Sequence, residues 1–136
     1  MKRILAVDDE EPILKCFERA LRARGYYIRT TSDPDEALEI LKNEDFDLVM
    51  LDVRMPKTSG FEIYGQIKRK GRAMAVLFVT AFPASFTAKS DSIAQMWTEQ
   101  FSDGNTDILY KPFELQTLNE KVEALIGPAD ALEGGE

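Results

Sequence analysis

Short runs of consecutive apolar residues alternate along this chain with longer stretches in which apolar residues recur every three or four positions. The runs lie at Ile4 to Val7, Tyr27 to Thr31, Leu48 to Leu51, Ala75 to Val79 and Ile108 to Tyr110, and their length and β-branched or aromatic content predict five strands. The stretches between them carry helical spacing: Ile13, Leu14, Phe17, Ala20 and Leu21 in the first, Ala37, Leu38 and Leu41 in the second, Phe61, Tyr64 and Ile67 in the third. Leu115, Leu118, Val122, Leu125 and Ile126 give the last helix. Local chemistry agrees with these limits. Pro12 and Pro34 suit first helical positions, Asp33 with Glu36 forms a candidate capping box, and Gly25 and Gly71 suit helix ends.

Segments LVML and VLFV are continuously apolar rather than alternating, the mark of strands covered on both faces. With helices between the strands this predicts right-handed crossovers and a three-layer α/β domain built on a parallel sheet. In such sheets ligands sit beyond the carboxyl ends of the strands. There the first strand ends in Asp8, Asp9 and Glu10, the third in Asp52, the fourth in Thr80 and the fifth in Lys111. Carboxylates gathered at one rim would repel one another unless a cation sat among them, and an oxygen-only ligand set suits Mg²⁺.

Composition narrows the chemistry further. At 136 residues and 44% hydrophobic, the chain has material for one well-filled core, assigned to residues 1–126. Residues 127–136, GPADALEGGE, lack apolar periodicity and are expected to form a flexible tail or linker stub. Histidine is absent and Cys16 is the only cysteine, which excludes an internal disulfide and the usual His or Cys zinc and nucleophile arrangements. A formal net charge of -7 argues against nucleic acid as a direct partner, and Lys68, Arg69, Lys70 and Arg72 read as a solvated helix end. No apolar run has the length of a membrane span or a signal peptide, so a cytoplasmic protein with no membrane partner is expected.

VDDE at 7–10, MLDVRMPKTSG at 50–60, FVTA at 78–81 and YKPF at 110–113 together resemble the response-regulator receiver domain, the phosphoacceptor module of two-component signalling. The resemblance runs from about residue 2 to 126 with all motifs in order. It implies a flavodoxin-like sheet of order 2-1-3-4-5 with five helices. It also implies phosphorylation by a histidine kinase or histidine phosphotransfer protein. Carried across, Asp52 would be the acceptor, and Asp9, Asp8 through water, Asp52 and the backbone carbonyl of Arg54 would hold Mg²⁺. Thr80 and Lys111 would contact the phosphoryl group, and the Lys111–Pro112 bond would be cis, aiming the lysine inward. Such a module catalyses only its own phosphorylation and dephosphorylation. Its output would be an interaction with another protein through the face formed by the fourth helix, fifth strand and fifth helix.

Two features depart from the family. Thr80 and Lys111 stand 31 positions apart, roughly nine more than is usual, which enlarges the region between the fourth strand and the fourth helix. Ile108 stands where the family commonly has a switching aromatic, and the ring is found at Tyr110 instead. The resemblance also implies that the side chains two places beyond Asp52 and Thr80, here Arg54 and Phe82, overhang the approach of hydrolytic water, and these two are expected to slow loss of the phosphoryl group. Two other readings use the same residues. A Mg²⁺-dependent aspartyl-phosphate phosphohydrolase of the haloacid dehalogenase type would carry a second acid where Arg54 stands, and a receiver-fold interaction module that is never phosphorylated would have no need of the full site.

Overall fold

The computed structural model describes residues 2–52, 63, 65–67, 74–80 and 105–129. In chain order these give β1 (Arg3–Val7), α1 (Glu11–Ala23), β2 (Tyr27–Thr31), α2 (Pro34–Asn43), β3 (Leu48–Asp52), β4 (Ala75–Thr80), β5 (Thr106–Tyr110) and a C-terminal helix (Leu115–Ile126). Residues 63 and 65–67 are helical and fall in the third expected helix. The fourth expected helix, the enlarged region before it and Gly71 lie outside the described residues.

All five strands join one parallel sheet in the order β2-β1-β3-β4-β5, as the resemblance implies. Side-chain alternation along the strands divides the core in two. Ile4, Ala6, Leu48, Met50, Leu77, Val79 and Leu109 pack on one face against Leu14, Phe17 and Leu21 of α1 and Leu118 and Val122 of the C-terminal helix. Leu5, Val7, Val49, Leu51, Val76 and Phe78 pack on the other against Ala37, Ile40 and Leu41 of α2 with Ile63 and Ile67. Burial on both faces is why the strands read as unbroken apolar runs.

The helix ends differ in detail from the sequence pattern. Pro34 is the first residue of α2, but α1 begins at Glu11, so Pro12 stands second. Asp33 caps α2 by accepting the Asp35 N–H at 2.9 Å. Glu36 does not close the expected box: its carboxylate accepts the Thr31 hydroxyl, and Thr31 Oγ1 in turn accepts the Asp33 N–H at 3.1 Å. The end of β2 thus inserts a hydroxyl between the two halves of the box. Gly25 has φ +96°, a conformation glycine adopts without strain.

Packing continues beyond position 126. The Tyr26 hydroxyl donates to the Gly127 carbonyl at 2.7 Å, and Ala129 is buried, its methyl 3.3 Å from where a Cβ on Gly25 would stand. The packed chain therefore reaches Ala129.

Candidate functional site

Register alone brings two carboxylates together. β1 and β3 are neighbours with Val7 opposite Leu51, so Asp8 and Asp52, each next in its chain, emerge side by side at the same rim. Asp8 is held there by its own backbone, its N–H donating to the Thr31 carbonyl at 3.2 Å. Its Oδ1 accepts the Glu10 N–H at 2.9 Å. Asp8 is 0% and Asp52 5% exposed, whereas Asp9 points to solvent. One oxygen from each of the three lies within 4.8 Å of the others.

The fifth strand supplies the cation. β5 ends at Tyr110, the Lys111–Pro112 peptide is cis, and Phe113 stacks on Phe17 of α1 with ring centroids 5.5 Å apart. That stack ties the loop to α1, whose N-terminus adjoins Asp8. From there Lys111 reaches past the end of β4, and its Nζ lies 2.9 Å from Asp8 Oδ2, 3.2 Å from Glu10 Oε1 and 3.7 Å from Asp52 Oδ2. It pairs most closely with Asp8 and also donates a hydrogen bond to Glu10. Asp8 Oδ2 is sealed from solvent and has the ammonium as its close partner.

The electrostatics follow from that count of charges. Burial pushes the Asp8 carboxyl above the ordinary carboxylate value, against the opposing pull of Lys111. Burial also pushes Lys111 down, but Asp8, Asp52 and Glu10 outweigh it and hold the ammonium above the ordinary lysine value. Among the described residues, one ammonium faces Asp8, Glu10 and Asp52, and Asp9 joins Asp8 and Asp52 in the acid cluster. A hard divalent cation fits this set: the donor atoms are all oxygens, they converge, and two of the three carboxylates are buried.

Of the other residues singled out by the sequence, Thr80 ends β4 in register with Tyr110, its side chain outside the described residues. Arg54 and Phe82 also lie outside them. Ile108 is half-buried against the α2-side core and Tyr110 is 52% exposed. Two residues gained a place that pattern alone did not give them. Glu10 bonds both Asp8 and Lys111, and Phe113 anchors the lysine loop; their adjacency to VDD and KP was the available signal.

The chain is similar to known proteins along nearly its whole length. The family model described as the response regulator receiver domain matches residues 4–123. The alkaline phosphatase synthesis transcriptional regulatory protein PhoP of Bacillus subtilis is 34% identical over 125 residues, covering 92% of this chain and 48% of that protein. Response regulator MprA of Mycobacterium leprae is 34% identical over 134 residues, 96% of this chain and 55% of its own length, so the chain spans about half of each of these relatives. Among solved structures, response regulator TrrA of Thermotoga maritima in complex with Mg(2+)-BeF superposes with a TM-score of 0.74 at 34% identity, covering 92% of this chain and 99% of that one. With the model spanning both ends of the sheet and relatives above 30% identity agreeing with it, the chain belongs to the response-regulator receiver domain family.

Proposed function

We propose that Asp52 accepts a phosphoryl group from the phosphohistidine of a histidine kinase or histidine phosphotransfer protein, and that the phosphorylated chain signals by binding another protein. The observation that carries this reading is Lys111 Nζ lying 3.7 Å from Asp52 at a rim where three carboxylates converge. An ionised Asp52 oxygen attacks phosphorus as the phosphorus–nitrogen bond of the donor breaks, and the imidazole leaves with the bonding pair. No general base is needed, which suits a chain without histidine. Asp52 is presented at a strand end, so the line of attack is fixed by the sheet. Lys111 offsets charge on a phosphoryl oxygen, and the Thr80 hydroxyl donates to another. Asp8, Asp9, Asp52 and the Arg54 carbonyl would hold Mg²⁺, which when bound neutralises the remaining phosphoryl charge.

In this reading the chain works in the cytoplasm on its own Asp52 and turns over no free substrate. It contacts no nucleic acid directly. The receiver unit is assigned to residues 1–126 and the output face to the fourth helix, fifth strand and C-terminal helix. The test is intact mass after incubation with acetyl phosphate. One phosphoryl increment in Mg²⁺ and none in chelator is expected; an unchanged mass in Mg²⁺, or an increment indifferent to chelator, contradicts the reading.

A further inference from the structure

Glu10 has no part in the phosphotransfer described above, yet it sits in the middle of the site. Its backbone N–H bonds Asp8 Oδ1 at 2.9 Å while its carboxylate accepts from Lys111 at 3.2 Å. The backbone at Glu10 is also fixed on the other side, because its carbonyl takes the Ile13 and Leu14 N–H groups that open α1. The carboxylate therefore extends from a rigid base at the rim, its side chain 58% exposed, between solvent and the ammonium. Lys111 lies 2.9 Å from Asp8, 3.2 Å from Glu10 and 3.7 Å from Asp52, so Glu10 shares with Asp8 the hold on the ammonium and stands nearer to it than the acceptor does.

We infer that Glu10 is a positioning residue that selects the phosphodonor: it holds Lys111 towards the mouth of α1 and opposes the entry of small anionic donors, which favours a protein donor bringing its own cation to this rim. This rests on the reading of Asp52 as acceptor. Two effects act in the same direction. A phosphoryl group arriving at Asp52 needs the ammonium that Glu10 engages, and the Glu10 charge repels a free acyl phosphate crossing the rim. A cationic side chain on a protein donor answers both, since it pairs with Glu10 and removes the Glu10 share of the hold on Lys111, leaving the Asp8 pair in place. Because Glu10 is partly exposed, the repulsion is screened by water and salt, and its size grows with the charge of the donor.

Glu10→Gln tests this, since it keeps the backbone bond to Asp8 and removes only the charge. Phosphorylation is followed by intact mass with two small donors, doubly charged acetyl phosphate and singly charged phosphoramidate, at low and high salt in saturating Mg²⁺. The variant is expected to react about fourfold faster than the parent with acetyl phosphate and about twofold faster with phosphoramidate at low salt, the gains shrinking at high salt. Glu11→Gln, which removes a charge from the same helical turn without touching the Lys111 pair, is the control and is expected to give the smaller gain. A role only in capping α1 would change both donors alike and would not respond to salt, and that result overturns the inference. So do equal rates in parent and Glu10→Gln. Absence of phosphate on both proteins with both donors contradicts instead the assignment of Asp52, and the inference falls with it.

Discussion

Asp8 is the residue at which folding and function pull in opposite directions. Its side chain is sealed in the protein beside two other carboxylates, and burial raises its carboxyl above the ordinary value against the pull of Lys111. A group whose folded value is raised contributes its stability at low pH, below its unfolded value, and loses it as pH rises through the folded one. In the absence of divalent cations the protein is therefore expected to lose stability as pH rises through that window, and Asp8→Asn is expected to flatten the dependence. At neutral pH relief of the three-carboxylate cluster opposes loss of the Asp8 pair with Lys111, and relief is expected to prevail by about 1 kcal/mol in the metal-free chain. Mg²⁺ should stabilise the parent and have little effect on the variant. Urea unfolding across pH, with and without Mg²⁺, reads both; a less stable metal-free Asp8→Asn protein would contradict this account of the buried carboxylate.

Among the described residues, one aromatic stack ties the loop after β5 to α1. Phe113 is half-buried, and its stack on Phe17 is the described contact that ties the Lys111–Pro112 turn to α1. Phe113→Ala is expected to cost about 2–3 kcal/mol and, by loosening the turn, to slow phosphorylation even where the protein is folded. Phe113→Leu should restore most of the stability and less of the rate, because it fills space without the ring face. Unfolding curves with phosphorylation rates measured well below the transition separate the two. A normal rate in folded Phe113→Ala would mean that the lysine is aimed without the stack.

The strands and helices were legible because burial on both sheet faces leaves consecutive apolar residues, as in LVML, and burial on one helix face leaves a three-to-four spacing, as in Leu14, Phe17 and Leu21. Side-chain choices between elements were not legible. Glu36 takes the Thr31 hydroxyl in place of a box with Asp33, and Ala129 packs at the Gly25 bend, because both depend on which element lies alongside. Glu10 belongs with them: its acid is visible in VDDE, but the hydrogen bond to Lys111 joins residues 101 positions apart.

For the whole molecule, the placement of the acids and the lysine at one rim makes local chemistry able to act as a switch. Each hydrogen bond to a charged phosphoryl oxygen contributes roughly 1.5–3 kcal/mol. Driving a two-state equilibrium from 1:99 to 99:1 takes about 5.5 kcal/mol, so roughly two to four contacts from groups such as Lys111 and Thr80 are enough. No large rearrangement of the sheet is required. All of this depends on the phosphoryl group residing on Asp52. The most direct measurement is the intact mass of the parent and Asp52→Asn, incubated side by side with Mg²⁺ and acetyl phosphate. A phosphoryl increment on the parent that is absent from the variant is the expected result; an increment that persists on Asp52→Asn at the parent's stoichiometry would contradict it.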